Sequence, residues 1–146
     1  MSPILPILAA LLAGVGLATQ SPTNAALGRS IGSVTLAALI SFAVGTAILV
    51  AAWLSFDRTP LATLKGAKPW MFVGGAYGAY FVAAAAFAAP RLGLASMLTI
   101  MIASQLVAAL VIDHFGLIGL PRAPVTWVKI AGVALVLVGV VVVRKG

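Results

Sequence analysis

Ile31–Leu54 reads IGSVTLAALISFAVGTAILVAAWL, 24 residues without a single charge. A helix needs about 20 mostly apolar residues to cross the hydrocarbon core of a bilayer, so this stretch is long enough to span a membrane. Working outward, four more windows qualify. The first runs from Pro3 to at least Gln20 and extends through Pro22 to Leu27. Another is Trp70–Ala89, stopped by Pro90 and Arg91. Leu92–Ile112 ends at Asp113 and His114, and Thr126–Val143 carries Lys129 near its start and Arg144–Lys145 at its close. The expected fold is an all-α integral membrane protein, one transmembrane domain over 1–146 with five helices at about 3–27, 31–54, 70–89, 92–112 and 126–143.

Composition points the same way. Of 146 residues, 63% are hydrophobic and 8% charged, whereas a globular chain carries roughly 45–50% apolar and about 25% charged residues. Eleven charged side chains are too few to keep such a domain soluble as a monomer. The composition argues strongly against a soluble enzyme, and the absence of Cys excludes disulfide scaffolds and thiolate zinc clusters. The net charge of +7 is dispersed between apolar stretches. Nucleic-acid binding requires clustered Lys and Arg on one face, so the partner indicated is the lipid bilayer, with no nucleic acid and no cofactor.

The connections fit five crossings. Ser55–Pro69 holds Asp57, Arg58, Lys65 and Lys68, and Asp113–Val125 holds the breakers Gly116, Gly119, Pro121 and Pro124. The third and fourth helices are expected to join through a tight Pro90-Arg91 turn. Trp53, Trp70 and Trp127 fall at predicted helix ends, where indole rings prefer the membrane–water interface. Met1 to Leu5 lacks Lys and Arg, and no A-x-A site follows the apolar run, so the first segment reads as a retained helix instead of a cleaved signal peptide.

In such a chain, function is sought among the few polar groups at membrane depth. Ala18-Thr-Gln-Ser-Pro-Thr-Asn24 is the strongest cluster. Gln20 and Asn24 are four apart and share one face of a continuous helix. Pro22 has no N–H, so the Ala18 carbonyl lacks its helical donor. Polar groups beside an interrupted helix line binding sites in transporters. A polar helix end, with Asn24 as the N-cap of the next segment, explains the same residues equally well. Gln105 is the second candidate, with Ser104 beside it and Met97 and Met101 on its side, and helix-to-helix bonding is its commoner role.

Tyr77 and Tyr80, with Phe81 and Phe87, form an aromatic surface that serves packing or holds a flat or cationic substrate. Asp113 and His114 are candidates for proton coupling, or else a solvated helix end. Ser33, Ala37, Ser41 and Gly45, and likewise Gly74 and Gly78, place small residues at helical spacing for close packing. Gly132 and Gly139, seven apart, form a seam suited to pairing between subunits. No Ser/His, His/Glu or paired-carboxylate set lies at membrane depth, which argues against an intramembrane enzyme.

The loop charges are nearly balanced. With the N-terminus inside, Arg58, Lys65, Lys68, Arg122 and Lys129 are cytoplasmic, while Arg29, Arg91, Arg144 and Lys145 are outside, five against four. A protein of fixed orientation shows a clear excess. A near tie is expected of a chain that inserts both ways and pairs antiparallel, which would generate the inverted repeat of many transporters.

Gln20-Ser-Pro-Thr-Asn24-Ala-Ala-Leu-Gly28-Arg, Ala38-Leu-Ile-Ser-Phe-Ala-Val-Gly45, Gln105-Leu-Val-Ala-Ala-Leu-Val-Ile-Asp113-His-Phe-Gly116-Leu-Ile-Gly119 and Gly132 to Gly139 together resemble the YdcZ-type inner-membrane family. The resemblance covers nearly the whole chain. It implies five helices, membership of the drug/metabolite transporter superfamily, an antiparallel or dual-topology dimer equivalent to a ten-helix transporter, and export of a small molecule. The final Gly-x6-Gly is similar to the dimer-forming last helix of small multidrug resistance proteins. Those exporters use a membrane-embedded Glu in their first helix, and this chain has no Glu. Any proton coupling must come from Asp113 or His114.

The function expected is therefore a dimeric small-molecule transporter of the inner membrane, paired with a second copy of itself or a close homologue in opposite orientation. Its cavity would lie between antiparallel subunits, with Gln20 and Asn24 as polar contacts, Gln105 behind them, and Tyr77 and Tyr80 shaping the walls. The rival is a non-transporting assembly partner. A cavity lined by these amides favours the first, and a dry, Leu-packed interior favours the second.

Overall fold

The computed structural model describes residues 4–145, so Pro3, at the expected start of the first helix, lies outside the described residues. Five α-helices occur in chain order: α1 (Ile4–Ile31), α2 (Val34–Ala52), α3 (Gly74–Leu92), α4 (Leu94–Phe115) and α5 (Trp127–Lys145). Five helical spans are long and apolar enough to cross a membrane, with α2 lengthened to Asp57 and α3 beginning from Pro69 by flanking helical turns.

Side-chain size is distributed as lipid solvation demands. The buried positions include Ala25, Ala37, Ala38, Ala85, Ala86, Ala89 and Ala103, while Leu5, Leu12, Leu39, Leu49 and Leu135 face outward. Lipid tails are as apolar as Leu, so burying Leu gains little in a bilayer; small residues let helices approach and gain van der Waals contact instead.

The helix ends depart from expectation in an instructive way. α1 runs through Pro22 and continues past Leu27 to Ile31, and Pro90 does not stop α3, which reaches Leu92. A proline removes one backbone bond, whereas unwinding at membrane depth strands several polar groups without water. The breaks fall at Gly32 (φ +74°) and Gly93 (φ +79°), left-handed conformations that glycine adopts without steric cost. The turn before α4 is thus at Gly93, not at Pro90-Arg91. Ser33 caps α2 by accepting the Leu36 N–H at 3.1 Å. Asn24, inside α1, is no cap.

At the far end of α2, one π-turn (Trp53–Asp57) closes the span. Arg58 adopts a left-handed conformation (φ 55°), donating its N–H to the Trp53 carbonyl at 2.8 Å and its Nε to the Leu54 carbonyl at 2.8 Å. Trp53 Nε1 donates to the Thr59 carbonyl at 3.1 Å, so the indole anchors the helix end expected at an interface.

The chain divides into two compact units between Arg91 and Leu92. In the first, α1 and α2 form a hairpin whose backbones come close at Gly28: a Cβ there would meet Val34 Cα at 3.3 Å. Gly78 of α3 lies against the Phe42 ring, at 3.4 Å from an added Cβ. In the second unit α4 and α5 pair. Their connection is tied by Asp113, whose carbonyl accepts from Ala123 N–H at 2.8 Å and Gly116 N–H at 3.3 Å.

Candidate polar site in the α1–α2 hairpin

The buried face of α1 is Ser21, Asn24, Ala25 and Gly28, and that of α2 is Ala37 and Ala38. The hairpin register is fixed by Gly28 against Val34 and by Gln20 Nε2 donating to Ser41 Oγ at 3.5 Å. Between these two contacts, Asn24 stands level with Ala37 and Ala38.

Past Gln20 the two helices part. A Cβ on Gly16 or on Gly45 would meet nothing within 4 Å, in contrast to Gly28. The wedge so opened is a cavity of about 180 Å³ lined by Gln20, Ser41, Phe42, Gly45, Thr46 and Leu49. At a rise of 1.5 Å per residue, Ser41 lies about 12 Å along α2 from Ser33 and about 18 Å from Trp53. Those distances together match a hydrocarbon core of about 30 Å, so the cavity sits near mid-membrane depth.

The polar residues around Pro22 divide by role. Hydroxyls of Thr19, Ser21 and Thr23 turn back onto their own helix, reaching the carbonyls of Val15 (3.1 Å) and Gly16 (2.9 Å), Leu17 (3.4 Å) and Thr19 (2.8 Å) respectively. The two amides do not. Gln20 reaches across to Ser41, and Asn24 is 5% exposed with its Nδ2 bonded to nothing. A buried amide donor without a partner costs about 1–3 kcal/mol, so the hairpin carries an unmet demand for an acceptor one turn from the cavity.

The other residues singled out in the sequence lie elsewhere. Tyr77 and Tyr80 on α3 are 71% and 78% exposed and do not line the cavity. Gln105 is exposed on α4, whereas Met97 is buried and Met101 half-buried. Ser104 donates its hydroxyl to the Met101 carbonyl at 2.8 Å. Asp113 and His114 are half-buried at the end of α4, where His114 Nδ1 accepts the Val125 N–H at 3.2 Å and Arg122 Nε donates to the His114 carbonyl at 3.0 Å. That arrangement folds the loop back on the helix end and is more than a solvated terminus. Gly132 is exposed and Gly139 half-buried on α5, and a Cβ on either meets nothing within 4 Å.

Residues 5–142 match the family model described as "Putative inner membrane exporter, YdcZ". The chain belongs to this family. It is also 26% identical over 135 residues to the inner membrane protein YdcZ of Escherichia coli (strain K12), covering 91% of this chain and 90% of that protein. No solved structure matches. The YdcZ-family chain is accordingly a multi-pass inner-membrane protein of a family described as inner-membrane exporters.

The candidate residues of this family member up to Gly139 lie within the matched range. Sequence reading selected Gln20 but treated Ser41 and Gly45 only as packing residues, and it passed over Phe42, Thr46 and Leu49. The missing signal was pairing: a hairpin turning at Gly32 brings Gln20 level with Ser41, and the small stripe of α2 then supplies both the contact and the opening.

Proposed function

We propose that the chain is a small-molecule exporter whose cargo contacts the α1–α2 cavity through Gln20 and Ser41, with Asn24 one turn away. The observation that carries this reading is an amide reaching across a hairpin at the mouth of an open cavity near mid-membrane depth. Family membership supports export as the direction. Two copies inserted in opposite orientations would close the open side of each cavity, with the exposed Tyr77, Tyr80 and Gln105 available to the opposing copy and Gly132–Gly139 as a pairing seam. The near-even loop charges support this arrangement. Coupling to protons, in this reading, runs through Asp113 or His114.

Two experiments test the proposal. A thermal-shift screen on purified protein identifies a cargo, whose flux is then measured in liposomes. Gln20→Ala should reduce flux about tenfold or more, the loss expected from one transition-state contact of about 1.4 kcal/mol, with oligomer and helix content unchanged. If the variant protein dissociates and the surviving dimer transports normally, Gln20 is structural. For topology, Arg91→Ala combined with an added Lys beside Lys65 should fix one orientation of tagged termini. Wild-type termini labelling on one side only would contradict two-way insertion.

A further inference from the structure

We infer that the solute taken by the α1–α2 cavity is small, uncharged and hydrogen-bonding, of the chemical class of a ring or short chain bearing a carboxamide or hydroxyl. The inference rests on that cavity being the cargo site. Its polar lining is the Gln20 amide with the Ser41 and Thr46 hydroxyls, and Phe42 and Leu49 supply the apolar wall. Neither α1 as far as Gly28 nor α2 contains an ionisable side chain.

Charges near the hairpin are distant, and those beyond α2 are engaged. Arg29 is nine residues beyond Gln20, about 13 Å along the helix at 1.5 Å per residue. Asp57 is eleven residues beyond Thr46, about 16 Å by the same rise, and its carboxylate already accepts from the Thr59 hydroxyl and from the Thr59 N–H at 3.3 Å. Arg58 is turned onto the Leu54 carbonyl. An ion brought to mid-membrane depth would lose water and find no counter-charge, a penalty far larger than amide contacts offset.

Amides and hydroxyls both donate and accept, so they suit a neutral partner of the same kind. Phe42, in contact with Gly78, adds apolar surface to the lining. A recess of about 180 Å³ is of a size to take one small ring.

Nicotinamide, 1-methylnicotinamide and nicotinate share a ring and differ in charge: neutral, cationic and anionic. Their binding to the purified full chain in a nonionic detergent is read by saturation-transfer NMR, with Gly45→Leu as the variant that fills the cavity. A Cβ at Gly45 meets nothing within 4 Å, and Gly45→Ala, adding one methyl, is the gentler variant should the larger one fail to fold. Nicotinamide should lose about tenfold in affinity on filling, equivalent to about 1.4 kcal/mol, and the two ions should stay at the filled-cavity background throughout. Ions that bind as well as nicotinamide, and lose binding in Gly45→Leu, would overturn the neutral class while leaving the cavity as the site. Nicotinamide at background in the unaltered chain would overturn it too. Binding of all three that ignores Gly45→Leu would overturn the cavity reading itself.

Discussion

The two hairpins of this chain, α1–α2 and α4–α5, are alike in material and opposite in chemistry. The α4–α5 groove is the larger, about 620 Å³, lined by Ile100, Ala103, Ser104, Val107, Ala108, Leu137, Val140 and Val141. Its one hydroxyl is turned onto the Met101 carbonyl. The α1–α2 cavity is about 180 Å³ yet presents an amide and two hydroxyls. In a membrane, an open apolar groove is surface for a lipid chain or another helix, because filling it with either costs no desolvation of polar groups. A polar recess at mid-membrane depth has no such filler, and its groups need a solute, water or partner side chain. Polarity, not volume, is therefore what separates the two recesses in this protein.

The contrast can be broken at the point that creates the wedge. Gly28→Val forces a side chain where even a Cβ meets Val34 Cα at 3.3 Å, and overpacking of this kind costs about 1–3 kcal/mol. Thermal melting in detergent should fall accordingly, and an unchanged melt would show that the hairpin is not held together there. Gln20→Ala comes next: its bond to Ser41 is long at 3.5 Å, so stability should shift by less than about 1 kcal/mol while flux falls. A stability loss without a flux loss would reassign Gln20 to packing.

In the other hairpin, His114→Ala removes the acceptor of the Val125 N–H. It should cost about 1 kcal/mol and speed hydrogen exchange locally around residues 123–127, leaving α1–α2 protection untouched. Smallest of all is Ser104→Ala, whose hydroxyl serves only its own helix. Flux and melting should both stay within error, since such substitutions usually fall within about 0.5 kcal/mol. A flux defect there would make the larger groove a second polar site and dissolve the distinction.

Much of this was legible in the residues. Charge-free runs such as Ile31–Leu54 marked the spans, and Trp53 marked the end of one, because length and apolarity alone decide whether a helix crosses a bilayer. The helix ends were less legible. Pro90 read as a stop by rules that hold in water, where unwound backbone is solvated; Gly32 and Gly93 are where the chain turns. Gln20 stood out as an amide in an apolar run, but nothing in the order of residues states that Ser41 faces it or that the helices part at Gly45. Those are consequences of register, which depends on where the turn falls. Asn24 was readable as a candidate and equally as a cap, and only its burial inside α1 separates the two.

The most direct test fills each hairpin's cavity in turn and measures flux of the solute found by thermal shift. Gly45→Leu and Ala108→Leu each add an isobutyl-sized side chain to a lining position, one in the α1–α2 cavity and one in the α4–α5 groove. Flux in liposomes should collapse for Gly45→Leu and persist for Ala108→Leu, with both proteins folded and equally incorporated. Normal flux through the Gly45→Leu protein, or loss of flux confined to Ala108→Leu, would place the transport route elsewhere than the wedge between α1 and α2.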